Sequence, residues 1–231
     1  MIFNGFQKMT LLDYPGKVAC TLFTAGCNFR CPFCHNALLV TKIDNSDIYD
    51  DEFVLGFLDK RKGLLDGVCV TGGEPLMHPE LEDFLAKVKE KGYKIKLDTN
   101  GSYPDRLENA VKKGLVDYVA MDIKNRKEKY GLTAGLPDFD VSAVERSVDF
   151  LINSGIDFEF RTTVVKELHT VEDVGKIAEW IKGTKKYFLQ NFVDSGNLIG
   201  ENLHPADKNT LEDMKNAASK LIPRVQLRGI D

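Results

Sequence analysis

No stretch of this chain stays apolar for the roughly 18 to 20 residues that a membrane-spanning helix needs. Its opening, MIFNGFQKMTLLDYPG, is broken by Asn4, Gln7, Asp13 and Pro15 before a signal-peptide core can form. There is no block of like charge either: the 31 Lys and Arg are scattered and are outnumbered by 35 Asp and Glu. Neither a nucleic acid nor a membrane surface is therefore an expected partner, and a cytoplasmic setting is the expectation. No internal repeat, low-complexity tract or Gly/Ser- or Pro-rich linker divides the 231 residues, so one domain over 1–231 is expected. Five cysteines make an odd count, and three fall within eight residues. In a reducing compartment that clustering favours metal binding or catalysis over a disulfide framework.

What is present is an alternation of two periodicities. Short β-branched or apolar runs predict strands at about 17–24, 67–71, 93–98, 117–123, 157–164 and 186–191. Segments with helical apolar spacing predict helices at about 51–62, 80–91, 104–113, 140–153, 171–182 and 207–220. Pro79 and Pro104 stand where a first helical turn tolerates proline, and Gly92, Gly114, Gly155 and Gly183 stand where helices end. Alternation of this kind implies parallel strands joined by right-handed crossovers. The expected fold is α/β, a partial (β/α)6 TIM-type barrel of parallel strands, with a doubly wound open sheet as the other arrangement of the same pattern.

The sequence Cys27-Asn28-Phe29-Arg30-Cys31-Pro32-Phe33-Cys34 places three thiols in the loop after the first predicted strand. Three thiolates can hold three irons of a 4Fe-4S cube and leave the fourth open for a ligand, whereas a pure electron-transfer cluster normally has four Cys. The alternative is a Cys3His zinc site with His35 as fourth ligand, in a zinc-stabilised binding module; structural zinc usually takes a second distant pair, which is missing here. Cys20 and Cys69 lie inside apolar strands and read as small core hydrophobes.

With its aromatic Phe33 before the third cysteine, the C-x3-C-x2-C loop resembles that of the radical S-adenosylmethionine superfamily. Leu12-Asp13-Tyr14-Pro15-Gly16 followed by CTLFTAGCNFRCPFCHN is similar to the activating enzymes of glycyl-radical proteins, most of all those of anaerobic ribonucleoside-triphosphate reductase. The resemblance implies that the open iron binds the amino and carboxylate groups of S-adenosylmethionine, and that reductive cleavage yields a 5'-deoxyadenosyl radical. It further implies a glycyl-radical enzyme as protein partner and a flavodoxin- or ferredoxin-type electron donor. An activase of pyruvate formate-lyase, or a radical enzyme acting on another peptide or a small molecule, would keep the same cofactor residues.

In a barrel, polar residues at different strand ends gather into one site. The second predicted strand ends in Thr71-Gly72-Gly73-Glu74, where two glycines let backbone approach a ligand closely and Glu74 can accept hydrogen bonds from an ammonium group. The third ends in Asp98-Thr99-Asn100-Gly101, and Asn100-Gly101 also reads as a plain turn. Asp98 closes an apolar strand and must be paired or ligating. Asp122 and Lys124 share a strand face, and Arg161 interrupts FEFRTTVV, where either an anion or Glu159 would satisfy it.

The resemblance implies that Gly72, Gly73 and Glu74 contact the methionyl amino group. It puts Asp98 and Asp122 beside the cofactor, in some such enzymes with a monovalent cation, and Lys124 on its carboxylate. Asp13 resembles an aspartate near the partner's glycyl loop, although a capping turn with Pro15-Gly16 fits equally. Asp13, Lys124 and Arg161 are the candidates for direct catalytic roles, and Phe33, Thr99, Asn100 and Arg161 join the cofactor-contact set. His204, in the long polar loop after the sixth predicted strand, reads as a solvated side chain.

Overall fold

The computed structural model describes residues 1–43 and 46–230. In chain order the elements are β1 (Ile2–Phe3), β2 (Gly5–Thr10), β3 (Ala19–Thr24), α1 (Ala37–Thr41), β4 (Tyr49–Asp50), α2 (Asp51–Lys60), β5 (Gly67–Gly72), α3 (Leu81–Glu90), β6 (Lys94–Thr99) and α4 (Pro104–Lys112). They continue with β7 (Tyr118–Asp122), α5 (Tyr130–Ala134), α6 (Ser142–Ser154), β8 (Asp157–Val164), α7 (Val171–Trp180), β9 (Tyr187–Asn191), α8 (Lys208–Ser219) and β10 (Val225–Arg228). All six predicted strands and six predicted helices are there. The chain forms two compact units: Met1–Asn28 with Leu38–Thr99 and Tyr103–Val119, and Phe29–Ala37 with Asn100–Ser102 and Ala120–Asp231.

In the first unit β3, β5 and β6 pair in parallel, Cys20 opposite Val68 and Val68 opposite Ile95. Leu22, Val68, Val70, Ile95 and Leu97 are fully buried, because a parallel strand covered on both faces needs apolar residues at nearly every position. α3 buries Leu81, Phe84, Leu85 and Val88, an i, i+3, i+4, i+7 stripe. Asp50 caps α2 by accepting from the Phe53 N–H at 2.7 Å, a contact worth about 1 kcal/mol. β2 adds an antiparallel edge that the sequence pattern does not predict, since GFQKMT mixes polar and apolar residues and its middle is exposed.

In the second unit β8, β9 and β10 are parallel, Phe160 opposite Tyr187 and Tyr187 opposite Val225. β10 is also beyond the predicted set, being four residues long. α7 begins in a capping box, Thr170 with Asp173, and buries Val174, Ile177 and Ala178. α8 buries Leu211, Met214 and Ala218.

Candidate cofactor site

In the first unit the segment after β5 is docked by its glycines. The Gly73 N–H donates to the Thr24 carbonyl and the Glu74 N–H to that of Gly26, each at 2.8 Å. A Cβ at Gly73 would sit 1.8 Å from the Gly26 oxygen, and one at Gly72, where φ is +124°, would sit 2.3 Å from Thr24 backbone atoms. Any side chain there would displace the run that leads into Cys27. The close approach these glycines permit is thus to the chain's own backbone, where the sequence suggested a ligand.

Glu74 is fully buried. Its Oε1 accepts from the Leu76 N–H at 3.1 Å and from the Thr99 hydroxyl at 2.8 Å. These donors offset the cost of a buried carboxylate and fix its rotamer. Burial raises the Tyr103 pKa, and the negative charges of Glu74 and Cys27 raise it further, so both belong to one neighbourhood. Asp13 is held by the Thr21 hydroxyl, which donates to Oδ2 at 2.5 Å.

Asp98 is ion-paired with Lys96, two residues earlier on the same face of β6. Lys96 is 2% exposed, and its Nζ lies 3.7 Å from the Cys69 sulfur. Cys20 is a buried thiol whose pKa burial pushes up to about 12, as a core residue should be. Cys69 is equally buried but faces a charged pair. Sequence reasoning passed over Lys96; its signal was a lysine inside an apolar strand at i−2 from Asp98.

In the second unit the loop bearing Cys31 and Cys34 is pinned on two sides. The Arg30 N–H donates to the Ala134 carbonyl and the Gly200 N–H to that of Pro32, both at 2.8 Å. A Cβ at Gly200 would lie 2.6 Å from the Pro32 Cβ. Phe33 is buried, and Phe29 packs edge-on against Phe139 at 5.0 Å. His35, the fourth ligand of the zinc alternative, has its ring against Phe192 at 5.9 Å. None of Cys27, Cys31 and Cys34 is in a disulfide. Among the described residues no three His, Cys, Asp or Glu side chains form a ready-made metal-ligating group. The fit to iron therefore rests on donor chemistry: three soft thiols in a backbone-anchored loop suit an iron-sulfur cube with one open corner.

The same unit holds a charged cluster at the end of β7. Asp122 accepts from Lys124 Nζ at 3.1 Å and from Arg161 Nε at 2.9 Å. Burial alone would raise the Asp122 pKa, but Arg161 and Lys124 outweigh it and hold the carboxyl well below its usual range. Burial likewise works against the Lys124 charge, yet Asp122 and Cys31 keep the ammonium above its ordinary pKa. Arg161 pairs with Asp122, and Glu159 pairs with Arg228 at 3.0 Å.

The backbone here is braced by residues of no apparent functional signature. The Thr162 hydroxyl donates to the Ile123 carbonyl at 2.7 Å, and His169 Nε2 lies 2.8 Å from the Lys124 carbonyl. His169 is buried, which lowers its pKa and favours the neutral ring. Nothing in the sequence pattern marks this role. Asn100 serves the turn: its Oδ1 accepts from the Ser102 N–H at 2.9 Å. His204 is 65% exposed and pairs with Glu167 at 2.8 Å, in keeping with the solvated reading.

A family profile described as Radical SAM superfamily matches residues 21–181. A protein of Methanocaldococcus jannaschii, provisionally named a glycyl-radical enzyme activating enzyme, is 29% identical over 99% of this chain and 96% of its own. The pyruvate formate-lyase-activating enzyme of Clostridium pasteurianum is 30% identical over 79% of this chain and 76% of its own. Among solved structures, Streptococcus suis SuiB bound to its precursor peptide SuiA matches with a TM-score of 0.71 at 12% identity, over 90% of this chain and 48% of SuiB. This chain thus spans about half of SuiB. With the parallel pairing described above, that likeness places the fold in the α/β class as a partial TIM-type barrel. No helix among the described residues is long and apolar enough to cross a membrane.

Proposed function

The chain belongs to the radical SAM superfamily and, within it, to the glycyl-radical-enzyme activating enzymes, and from that premise we propose that residues 1–231 act as one domain that activates anaerobic ribonucleoside-triphosphate reductase. Enzymes of this superfamily use a 4Fe-4S cluster and S-adenosylmethionine. In the proposal Cys27, Cys31 and Cys34 hold the cluster and leave one iron for the cofactor. Bound there, cluster and cofactor would supply one-electron reductive cleavage of S-adenosylmethionine, the radical chemistry needed to take a hydrogen atom from a glycine α-carbon of the partner. The electron comes from a flavodoxin- or ferredoxin-type donor.

The chain's own part is binding and orientation. Asp122, Lys124 and Arg161 together carry one surplus positive charge, and this single observation best supports a receptor for the cofactor's carboxylate. Glu74, held in place by Thr99 and the Leu76 N–H, is assigned to the methionyl ammonium by its charge and its place after β5. The buried Phe33 beside Cys34 helps keep water from the cluster loop. Asp13, tethered to Thr21, is assigned to the face that meets the partner's glycyl loop. The Clostridium pasteurianum relative favours a second reading, activation of a pyruvate formate-lyase-type enzyme.

Anaerobic incubation with reductant, S-adenosylmethionine and either partner, followed by electron paramagnetic resonance, separates the two. A protein-based doublet with the reductase alone supports the proposal, and a doublet only with the lyase transfers it to the second reading.

A further inference from the structure

The resemblance implies, for some such enzymes, a monovalent cation beside the aspartates that match Asp98 and Asp122. Here the Asp98 carboxylate already has a cation. Lys96 and Asp98 project from the same face of β6, and Lys96 is opposite Cys69 of β5 in the parallel register. The ammonium of Lys96 is buried at 2% exposure, ion-paired with Asp98 and walled by the Cys69 sulfur at 3.7 Å. An alkali ion on the same carboxylate would have to lie against a fixed like charge in a poorly solvated setting, where repulsion is strong. It would also need oxygen ligands, and the neighbour contributed by β5 is a thiol.

We infer that Lys96 is a built-in monovalent cation that neutralises Asp98 permanently, so that folding at this site and cofactor binding proceed without sodium or potassium. Lys96 is then a positioning residue: it acts through Asp98, whose carboxylate it holds in place, and does not touch the cofactor. The part that concerns S-adenosylmethionine rests on the function proposed above, whereas the part that concerns Asp98 does not.

The test compares wild type, Lys96→Met and Lys96→Met/Asp98→Asn in choline chloride, sodium chloride and potassium chloride at equal ionic strength. The thermal unfolding midpoint of the apoprotein is measured first, then S-adenosylmethionine affinity of the reconstituted protein. The wild type should give the same midpoint and affinity in all three salts. Lys96→Met should melt lower in choline and recover several degrees in sodium or potassium. Its affinity should drop about tenfold in choline and return towards wild type in an alkali salt.

The double variant, with neither charge, should show no alkali recovery. If Lys96→Met fails to fold in choline, folding regained only with an alkali ion supports the inference. Failure in every salt, an equal loss of midpoint in every salt, or a wild type that itself needs alkali ions overturns it. Should the wild type bind no S-adenosylmethionine, the proposed function falls, while the midpoints still decide the role of Lys96.

Discussion

Two carboxylates, Asp98 in the first unit and Asp122 in the second, each close a stretch of apolar strand but are neutralised differently. Asp98 is matched by one buried ammonium from its own strand, which closes the pair at net zero charge. Asp122 is matched by Lys124 just past its strand and by Arg161 on β8, three side chains whose own charges sum to plus one, and Asp122 itself is 33% exposed. A closed pair can only shape a site, whereas a positive and partly open cluster can receive an anion. In the function proposed here, the first shapes the site and the second receives the anion.

The largest expected effect sets the loop thiols against the strand thiols. Cys27→Ala, Cys31→Ala or Cys34→Ala should abolish both iron retention and S-adenosylmethionine cleavage, while Cys20→Ala and Cys69→Ala keep iron at wild-type content. Iron analysis after anaerobic reconstitution reads this, and equal loss in all five would dissolve the distinction.

Next come the cations of the open cluster. Lys124→Met should weaken cofactor affinity roughly 10- to 100-fold, the worth of one charge-assisted hydrogen bond at about 1.5–3 kcal/mol. Iron content should be unchanged, and equilibrium dialysis with the cofactor checks the affinity. Iron lost before affinity would mean that Lys124 shapes the loop and does not bind the ligand.

A smaller effect follows from protonation. Because its folded pKa is depressed, Asp122 contributes stability that is fully present above the unfolded value of about 3.9 and is lost as pH falls below it towards the folded value. Asp122→Asn should therefore flatten the stability curve below about pH 4 in denaturant titrations. Cys20 has the opposite sense. Its thiol stays protonated up to about 12 in the folded chain, so stability should decline from about pH 8.5 towards that value. Cys20→Ala should lessen the alkaline decline, to which the buried tyrosines Tyr130 and Tyr187 also contribute. The smallest effect is expected at His204→Ala, whose exposed pair with Glu167 is worth at most about 1 kcal/mol; activity should stay unchanged.

The parallel strands and their helices were legible because burial on both faces writes itself as apolar runs such as VACTL and GVCVT, bounded by glycine and proline. Edges were not: β2 is paired on one side and tolerates Gln7 and Lys8. In the site, the charged strand ends were legible by residue type, but their partners were not. Lys94 and Lys96 occupy the same face of β6 two residues apart, yet the Lys94 side chain is 54% exposed and that of Lys96 2%. Alternation assigns a face, and only the depth of the covering layers distinguishes two lysines on it. His169 was equally silent, because bracing the Lys124 carbonyl is a contact across 45 residues.

The central claim is that three thiolates leave one iron corner open to the amino-acid end of S-adenosylmethionine. Titrating anaerobically reconstituted, reduced protein with S-adenosylmethionine while recording the cluster's electron paramagnetic resonance tests it most directly. The account predicts a brown protein with about four irons per chain and a spectrum that changes with saturating dependence on the cofactor. A colourless zinc protein, or an iron cluster whose spectrum ignores the cofactor, would contradict it.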